Sequence, residues 1–507
     1  MQQLEKNLIG IYRLLINKEF IAKKVAENVH EDNKMSVKNL VRYVTLRTSD
    51  LREVHDHLSE LGISSLRSCE SYVMHNVTSV LKLVKTLNGK DWQPQSNVET
   101  LGYKASKKLM NRNVNKLFNT AKRSNRKTKI MVTMPMEAAY DSSIIRTLIM
   151  HGMEIARIDL RKGTIDEWEQ LVKNIKLETE ELDLDCTIYM ELPGPKIRTE
   201  NVNIIKANGN TKKFIRLKKG NHLILTNDIS KVNDNIYGEK GQQLNYPSVA
   251  VSIPAIITDT KIGDRVFFDD GRVESKVIKK RENELEVIVI KTNKDGFKLR
   301  SKKSINLPDT KLNLPSLTDY DLGLMPFVMK NADMVGYSFV RTVDDIRKIH
   351  KEIDRYNRDD IGLVIKIENQ ESFENLPILL LEAMKKSKVG VMIARGDLSV
   401  EIGPERIAEV QDEIMWICEA AHIPVIWATQ VLEHLTKTGR ATRAEITDAA
   451  KSARAECVML NTGQHIDEAL VFLSSILTKM EKHTSKKKSV MRALNISLAN
   501  IDRMGLH

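Results

Sequence analysis

Cysteine is scarce in this chain, and the cysteines present form no recognisable metal or disulfide pattern. The 507 residues include four of them (Cys69, Cys186, Cys418 and Cys457), which lie far apart without a Cys-x-x-Cys pair. Such spacing provides neither the ligand pairs of a structural zinc site nor the dense cross-links of a small secreted domain. We therefore expect a protein of a reducing, intracellular compartment.

Long apolar runs are absent as well. No stretch approaches the roughly 20 apolar residues that a transmembrane helix needs. The first residues also lack the apolar core of a signal peptide. These two absences predict a cytoplasmic protein that has no membrane partner.

Aromatic residues are few, which argues against a nucleic-acid function for the positive charge. A net charge of +12 invites a nucleic-acid function, but aromatic residues make up only 5% of the chain. Local basic clusters occur only at residues 122–129 and 486–488, and no nucleic-acid-binding motif accompanies them. Solvated surfaces and small anionic substrates explain the charge more simply, so no nucleic-acid partner is expected.

Short apolar runs alternate with helical segments from residue 129 onward. Eight strand candidates lie at residues 130–134, 155–160, 186–190, 334–339, 363–367, 391–394, 424–429 and 457–460. Strands that alternate with helices eight times predict the α/β class and a (β/α)8 TIM barrel. Functional residues are then expected at the C-terminal ends of the strands.

The alternation breaks between residues 195 and 312. This stretch contains Gly, Asn and Asp turns between strand-like pieces at 222–225, 265–268 and 285–290. Asp269-Asp270-Gly271 is typical of a hairpin turn. The pattern predicts an all-β domain inserted after the third barrel strand, where it would form a lid.

The chain thus divides into four predicted parts. Residues 1–124 repeat apolar residues at helical spacing and predict a helical extension that acts as a cap or an oligomerisation module. Residues 125–194 and 313–484 form the predicted barrel, residues 195–312 the β lid, and residues 485–507 a basic tail.

Two neighbouring strands carry the most informative residues. Lys366 and Glu368 end one apolar run and are two residues apart, so both side chains point to one face. Asp397 follows the next run at the same end of the sheet. One ammonium and two carboxylates suit a divalent cation that holds a phosphorylated substrate. Taken alone, however, such a pair is more often a solvated ion pair, and Arg-Gly-Asp is a common turn.

A longer series of motifs resembles one family. The motifs occur in the order that they take in pyruvate kinases, and they cover about residues 126–482. They are Lys129-Ile130, Ala156-Arg157-Ile158-Asp159, Gly194-Pro195-Lys196-Ile197-Arg198-Thr199, Ser301-Lys302-Lys303, Asn306-Leu307-Pro308, Lys366-Ile367-Glu368-Asn369, Ala394-Arg395-Gly396-Asp397-Leu398, Ala428-Thr429-Gln430 and Thr442-Arg443-Ala444-Glu445. The chain further resembles a bacterial subgroup with a helical N-terminal extension and no C-terminal regulatory domain. Residues 39–47, 61–66 and 456–461 carry that likeness.

The resemblance implies a glycolytic phosphotransferase that moves the phosphoryl group of phosphoenolpyruvate to ADP, giving pyruvate and ATP. Glu368 and Asp397 would bind Mg²⁺ or Mn²⁺. Lys366 would stabilise the phosphoryl group in transfer and the enolate left behind. Thr429 would lie beside the enolate carbon in the path of the proton. A homo-oligomer is expected.

The substrate contacts are carried over in the same way. Arg157 would hold the phosphate as a charged donor. The backbone N–H groups of Gly396 and Asp397 would receive the substrate carboxylate at the start of a helix. Arg198 and Lys303 match positions that reach the nucleotide phosphates. Each of these side chains, taken singly, would more often be a surface charge or a strand-end salt bridge.

Four stretches depart from the family's pattern. Residues 135–138 replace the usual loop after the first strand, and residues 461–464 replace the usual loop after the eighth. Arg161 and Lys162 follow the second strand, where they could contact phosphate or simply be solvated. Leu192 follows the third strand and removes an oxygen ligand from the site where many relatives bind K⁺. Lys196 replaces a glutamate that accompanies K⁺ dependence, so its ammonium could stand in for K⁺, which the protein would then not require.

Two other functions compete with this interpretation. The first is a catalytically impaired pyruvate-kinase-like protein that binds a ligand or partner through the N-terminal helices. The altered first loop and Leu192 favour it, whereas Lys366, Glu368, Asp397 and Thr429 argue against it. The second is an aldolase or lyase that acts on phosphoenolpyruvate or a 2-oxo acid without a nucleotide. Such enzymes usually lack a large β insertion after the third strand.

Overall fold

A computed structural model gives the architecture of the chain. It describes residues 1–63, 66–119, 126–202, 204–206, 211–234, 236–237, 246–485 and 488–489. Most of the predicted basic tail at 485–507 and the junction at 120–125 lie outside these residues. None of the described helices is long and apolar enough to cross a membrane.

Eight parallel strands close into a barrel, as the alternating pattern predicts. Every residue of these strands is buried, since one face lines the interior and helices cover the other. In order, the first to eighth barrel strands are Lys129–Thr133, Ile155–Asp159, Thr187–Glu191, Met334–Tyr337, Gly362–Ile367, Val389–Ala394, Val425–Ala428 and Cys457–Leu460. The (β/α)8 prediction is confirmed.

Helices cover the outside of the barrel. They span Ser142–Met150, Ile165–Leu182, Asp319–Asn331, Val343–Arg355, Gln370–Glu374, Leu376–Ala383, Arg395–Ile402, Ile407–Ala420, Glu433–Thr438, Arg443–Ser452 and Ile466–Met480. Helical spacing at residues 372–385 predicts one helix after the fifth strand. The structure has two, because the first ends at Glu374 and the next begins at Leu376, with Pro377 in its first turn. Thr hydroxyls and Asn or Asp side chains cap several of the N-termini.

The inserted segment lies between the third and fourth barrel strands, as predicted, and has its own apolar core. Its main sheet has seven strands: Thr199–Glu200, His222–Thr226, Ser248–Val251, Arg265–Phe268, Val273–Arg281, Glu284–Lys291 and Ile305–Asn306. Smaller sheets contain Ile204–Lys206, Thr211–Lys212, Ile215–Leu217, Ile236–Tyr237 and Phe297–Leu299. The lid is not purely β, because Ala255–Asp259 forms a short helix. The predicted hairpin turn joins two antiparallel strands through left-handed residues at 269–271.

The N-terminal region is helical and packs on the barrel. Its helices are Gln2–Asn17, Glu19–Glu27, Lys34–Leu46, Arg52–Glu60, Val73–Leu87 and Tyr103–Phe118. Helical spacing at residues 4–20, 51–61 and 72–87 predicts helices there, but none is predicted at Lys34–Leu46 or Tyr103–Phe118. Buried side chains bond to barrel carbonyls, for example Asn39 Nδ2 to Ala420 O at 2.8 Å.

The helix Tyr103–Phe118 closes the N-terminal mouth of the barrel. Its side chains join an apolar cluster with inward-facing strand residues such as Met334 and Met392. Leu117 lies so close to the fifth and sixth strands that a methyl group on Gly362 or Gly390 would come within 2.7 Å or 2.6 Å of it. The two glycines therefore make room for this helix.

Truncating Leu117 tests how firmly the extension is built into the barrel. Leu117→Ala should lower the free energy of unfolding by about 2–5 kcal/mol, because it leaves a cavity at a fully packed position. Urea denaturation measures the change. The matched control is Leu83→Ala, whose side chain is 54% exposed and whose loss should cost no more than about 0.5 kcal/mol. An equal loss of unfolding free energy in Leu117→Ala and Leu83→Ala would mean that the helix Tyr103–Phe118 is only loosely attached to the barrel.

Candidate active site

The C-terminal ends of the barrel strands surround one cleft of about 900 Å³. Barrel and lid residues both line it. All of the predicted site residues are among them: Arg157, Arg161, Lys162, Lys196, Arg198, Lys303, Lys366, Glu368, Gly396, Asp397 and Thr429. The cleft is therefore the place where their chemistry would be combined.

Glu191, at the end of the third strand, is the centre of the charge network. Its carboxylate accepts two hydrogen bonds from Arg157, at 2.8 and 2.9 Å, and one from Lys366 at 3.0 Å. A further bond of 3.0 Å comes from Arg161. Burial opposes ionisation of Glu191, but the three cations outweigh it and hold the pKa of this carboxyl well below its usual value.

Arg161 lies between two carboxylates and is not the solvated loop residue that the sequence left as an alternative. Its guanidinium donates to Asp159 at 2.7 and 3.0 Å as well as to Glu191. Asp159 and Glu191 are register partners on adjacent strands, which explains why one side chain spans both. Although burial disfavours its charge, these carboxylates raise the pKa of Arg161. A fixed positive charge thus occupies the space between them.

Lys366 and Glu368 leave the fifth strand on the same face, as their spacing predicts. The Lys366 ammonium lies 2.7 Å from Glu368 Oε1 and donates to Ser338 Oγ at 3.0 Å. The other Glu368 oxygen accepts the backbone N–H of Phe339 at 2.7 Å. Both side chains are almost fully buried, so their positions are fixed by charge and hydrogen bonds rather than by solvent.

Asp397 follows the sixth strand, and residues of the lid bind its carboxylate. Lys196 Nζ lies 3.0 Å from both carboxylate oxygens, and Asn306 Nδ2 donates to one of them at 3.4 Å. Burial disfavours the charged carboxylate, but Lys196 outweighs burial and keeps the pKa of Asp397 below its usual value. Lys196 is therefore next to a predicted metal ligand, not between Asp159 and Glu191.

Thr429 sits in a strained loop after the seventh strand. Thr429 and Gln430 have φ of +62° and +56°, a left-handed conformation that is unfavourable for a β-branched residue. Arg395 holds the loop by donating to Ala428 O at 3.1 Å and to Thr429 O at 2.6 Å. The hydroxyl of Thr429 accepts the Gly396 N–H at 2.9 Å, which orients it toward the helix start.

The lid contributes cations to the opposite wall. Lys303 Nζ donates to Asp269 at 2.8 Å, and Arg198 donates to the carbonyl of Lys302 at 2.8 Å. Burial and the nearby Arg161 lower the pKa of Arg198. Lys162 lines the cleft from the barrel side. These groups add positive charge to the lining of the cleft.

Glu368 and Asp397 can supply only part of the coordination shell of a divalent cation, and the substrate would supply the rest. Within the described ranges no three His, Cys, Asp or Glu side chains converge on a closed metal centre. Glu368 and Asp397 nevertheless line the same cleft and offer hard oxygen ligands. Mg²⁺ typically takes one or two carboxylates and completes its shell with water and substrate oxygens. The donor set therefore suits Mg²⁺ or Mn²⁺ in a substrate complex.

Several residues of this network were not predicted from the sequence. No role was predicted for Glu191 or Asp159, yet they organise three of the cations. Their positions at the ends of adjacent parallel strands were the available signal. Nothing in the local pattern of Ser338 or Asn306 indicates that they contact Lys366 and Asp397, since those contacts join distant parts of the chain.

Known proteins resemble the chain in sequence. The family described as pyruvate kinase, barrel domain, matches residues 125–466. A pyruvate kinase of Bacillus licheniformis is 31% identical over 388 residues, which is 75% of this chain and 62% of the relative. A pyruvate kinase of Staphylococcus haemolyticus is 31% identical over 395 residues, 74% of this chain and 62% of the relative. The chain thus matches less than two thirds of the length of these curated relatives.

Proposed function

Since the chain belongs to the pyruvate kinase family, we propose that it moves the phosphoryl group of phosphoenolpyruvate to ADP and gives pyruvate and ATP. The observation that carries the proposal is the arrangement of Lys366, Glu368, Asp397 and Thr429 around one cleft. Charged groups of both signs already occupy that cleft, as phosphoryl transfer requires. A cytoplasmic homo-oligomer remains the expected form.

The chain's own residues supply the electrostatic part of the reaction. Arg157 binds the phosphate of phosphoenolpyruvate, and the N–H groups of Gly396 and Asp397 receive its carboxylate. An oxygen of the ADP β-phosphate forms the new P–O bond while the bond to the enol oxygen breaks. Lys366 stabilises the charge on the transferring group and on the enolate oxygen. Thr429 lies in the path by which a proton reaches C3 of the enolate.

The lid completes the nucleotide side of the cleft. Arg198 and Lys303 neutralise the phosphates of ADP, and closing of the lid excludes water that would otherwise compete as acceptor. Arg161 and Lys162 add positive charge beside the barrel wall. Glu368 and Asp397 would hold a divalent cation, which would neutralise negative charge on the bound substrate.

In this proposal, a cationic side chain of the protein takes the place of K⁺. The sequence suggested Lys196 for that role, and it remains a candidate through its bidentate contact with Asp397. The geometry adds Arg161, because its guanidinium bridges the carboxylates of Asp159 and Glu191. A covalently attached charge needs no binding equilibrium, so added K⁺ should change turnover little.

Dependence on ADP distinguishes the proposed reaction from its rivals. Purified protein with phosphoenolpyruvate and Mg²⁺ should release pyruvate only when ADP is present, one ATP for each pyruvate. Pyruvate and inorganic phosphate formed without ADP would mean that water is the phosphoryl acceptor, whereas consumption of phosphoenolpyruvate without pyruvate would favour a lyase. Phosphoenolpyruvate binding without turnover at any ADP concentration would favour the impaired, ligand-binding protein.

Metal binding provides a second prediction. Glu368→Gln and Asp397→Asn should each weaken Mn²⁺ binding in the presence of phosphoenolpyruvate by about tenfold or more, because a hard cation loses an anionic ligand. Electron paramagnetic resonance of free Mn²⁺ measures the change. Asp344→Asn, on an exposed helical position, is the matched control and should bind as the unmodified protein does. Unchanged titrations for both site variants would place the metal elsewhere.

A further inference from the structure

The lid carries most of the net positive charge of the chain. Residues 195–312 contain 24 Lys and Arg against 14 Asp and Glu, so this segment accounts for +10 of the net charge of +12. A charge excess concentrated on one part of a protein creates a positive potential that attracts anions. The proposed reaction uses only Lys196, Arg198 and Lys303 of these cations. Most of the excess therefore has no role in that reaction.

Opposite charges neutralise each other on the main sheet of the lid. The register of the strands Val273–Arg281 and Glu284–Lys291 places Lys279 opposite Glu286 and Arg281 opposite Glu284. The second of these pairs is an ion pair, with Arg281 Nη1 2.9 Å from Glu284 Oε2. Cross-strand pairs of opposite charge stabilise a sheet and leave little net charge at its surface.

A smaller sheet of the lid has the reverse arrangement. The register of the strands Ile215–Leu217 and Phe297–Leu299 places Lys298 directly opposite Arg216. Both side chains are exposed, whereas their neighbours along each strand are buried. Like charges in directly opposed positions destabilise a sheet. An anion bound beside both cations would remove this repulsion.

The two cations border a cavity of about 410 Å³, which we call the lid cavity. The turn at residues 269–272 and the segment 295–303 supply its other walls. Two carboxylates, those of Asp269 and Asp295, belong to the lining. They are outnumbered by five cationic residues: Arg216, Arg272, Lys298, Arg300 and Lys303. The size and the charge surplus suit one compact anion that carries several negative charges.

Asp269 already pairs with two of the five cations. Lys303 Nζ donates to its Oδ1 atom at 2.8 Å, and Arg272 Nη1 lies 3.2 Å from its Oδ2 atom. Both of these cations are therefore largely neutralised by the protein itself. The surplus charge lies on the other three residues.

Arg216, Lys298 and Arg300 have no such partner. Arg216 Nη1 donates to the backbone carbonyl of Asp295 at 3.1 Å, which leaves its other N–H groups for a ligand. The Lys298 ammonium lies 5.2 Å from the ring centroid of Phe214. Among the residues that the structure describes, none of the three cations forms an ion pair with a carboxylate. They are thus available to an anion from solution.

We propose that the lid cavity binds a small anion with two linked phosphate groups. Arg216 and Arg300 donate to its phosphate oxygens, since the planar guanidinium matches phosphate geometry, and Lys298 adds a third charge. None of these three residues lines the cleft, so the site is separate from that of the proposed reaction. Lys303 and Asp269 line both spaces. The occupant is therefore placed to change the charge that the lid presents to the cleft.

Titration calorimetry with inorganic pyrophosphate, in buffer free of Mg²⁺, tests the site without any activity measurement. We expect saturable binding with a dissociation constant of about 1 mM or tighter at low ionic strength. Added salt should weaken it, because exposed charges are screened. Inorganic phosphate should bind at least about fivefold more weakly, because a single phosphate group offers fewer oxygens and less charge to the two guanidinium groups.

Two variants locate the binding. Arg216→Gln and Arg300→Gln should each weaken pyrophosphate binding at least about fivefold, because each removes one charged donor. Arg281→Gln is the matched control. It removes the same charge from an exposed arginine of the lid that is already paired with Glu284, so it should leave pyrophosphate binding unchanged.

Three results would overturn the proposal. The first is no measurable binding of pyrophosphate at concentrations up to about 10 mM. The second is binding that Arg198→Gln weakens and Arg216→Gln does not, because the anion would then lie in the cleft. The third is tighter binding of a ten-nucleotide single-stranded DNA than of pyrophosphate, with the same response to Arg216→Gln, which would identify a nucleic-acid surface.

Discussion

Lys366→Met should fold normally, retain Mn²⁺ binding and lose phosphoryl transfer by about 10²-fold or more, the usual effect of removing one donor from a developing charge. The ammonium lies between Glu191 and Glu368, 3.0 and 2.7 Å away. In the reaction it meets charge that grows only in the transition state, so its loss lowers kcat more than substrate affinity. Steady-state kinetics of pyruvate formation measure the effect.

The control for this variant is Lys348→Met, which removes an exposed lysine from the surface of the barrel. It should keep full turnover. Circular dichroism of Lys366→Met should match that of the unmodified protein, because Glu191 keeps Arg157 and Arg161 as partners. More than about a tenth of normal kcat in Lys366→Met would remove Lys366 from the proposed electrostatic role.

Arg161→Ser should convert a K⁺-independent protein into one that needs K⁺. Without the guanidinium, the buried carboxylates of Asp159 and Glu191 lose a shared cation, and turnover in K⁺-free buffer should fall about 10²-fold or more. A hydroxyl and two carboxylates then offer oxygen ligands to a mobile ion. K⁺ at about 0.1 M should restore part of the loss. The measurement is kcat against K⁺ concentration at constant ionic strength, with tetramethylammonium as the replacement.

The unmodified protein should show nearly the same turnover with and without K⁺ in that titration. Strong activation of the unmodified protein by K⁺ would contradict the internal-cation proposal. Lys196→Glu tests the other candidate, because a carboxylate would then stand where the ammonium lies 3.0 Å from both oxygens of Asp397. It should lower activity sharply in either buffer. Activity of Lys196→Glu equal to normal would leave Arg161 as the remaining candidate.

The barrel could be predicted because its signals are local. Eight apolar runs of strand length, separated by helical periodicity, need no knowledge of distant contacts. The break at residues 195–312 was equally local, since turn residues mark it. Helix ends were less well predicted, as in the segment after the fifth strand, where one helix ends at Glu374 and Pro377 lies in the first turn of the next.

The candidate site was predictable where a single strand or turn carries the residues, and not where distant segments meet. Lys366 and Glu368 share a face by their spacing alone. By contrast, the contact of Arg161 with Glu191 joins residues 30 apart, and that of Lys196 with Asp397 joins residues 201 apart. Such pairs depend on which strand ends become neighbours and on how the lid returns to the barrel.

Phosphorus nuclear magnetic resonance is the most direct test of the proposed function. Unmodified protein is mixed with phosphoenolpyruvate, ADP and Mg²⁺ in K⁺-free buffer, and the spectrum is followed with time. The account predicts that the phosphoenolpyruvate signal falls while the γ-phosphate signal of ATP rises in equal amount, and that Lys366→Met shows neither change on the same timescale. An unchanged phosphoenolpyruvate signal, or release of inorganic phosphate in place of ATP, would contradict the proposal.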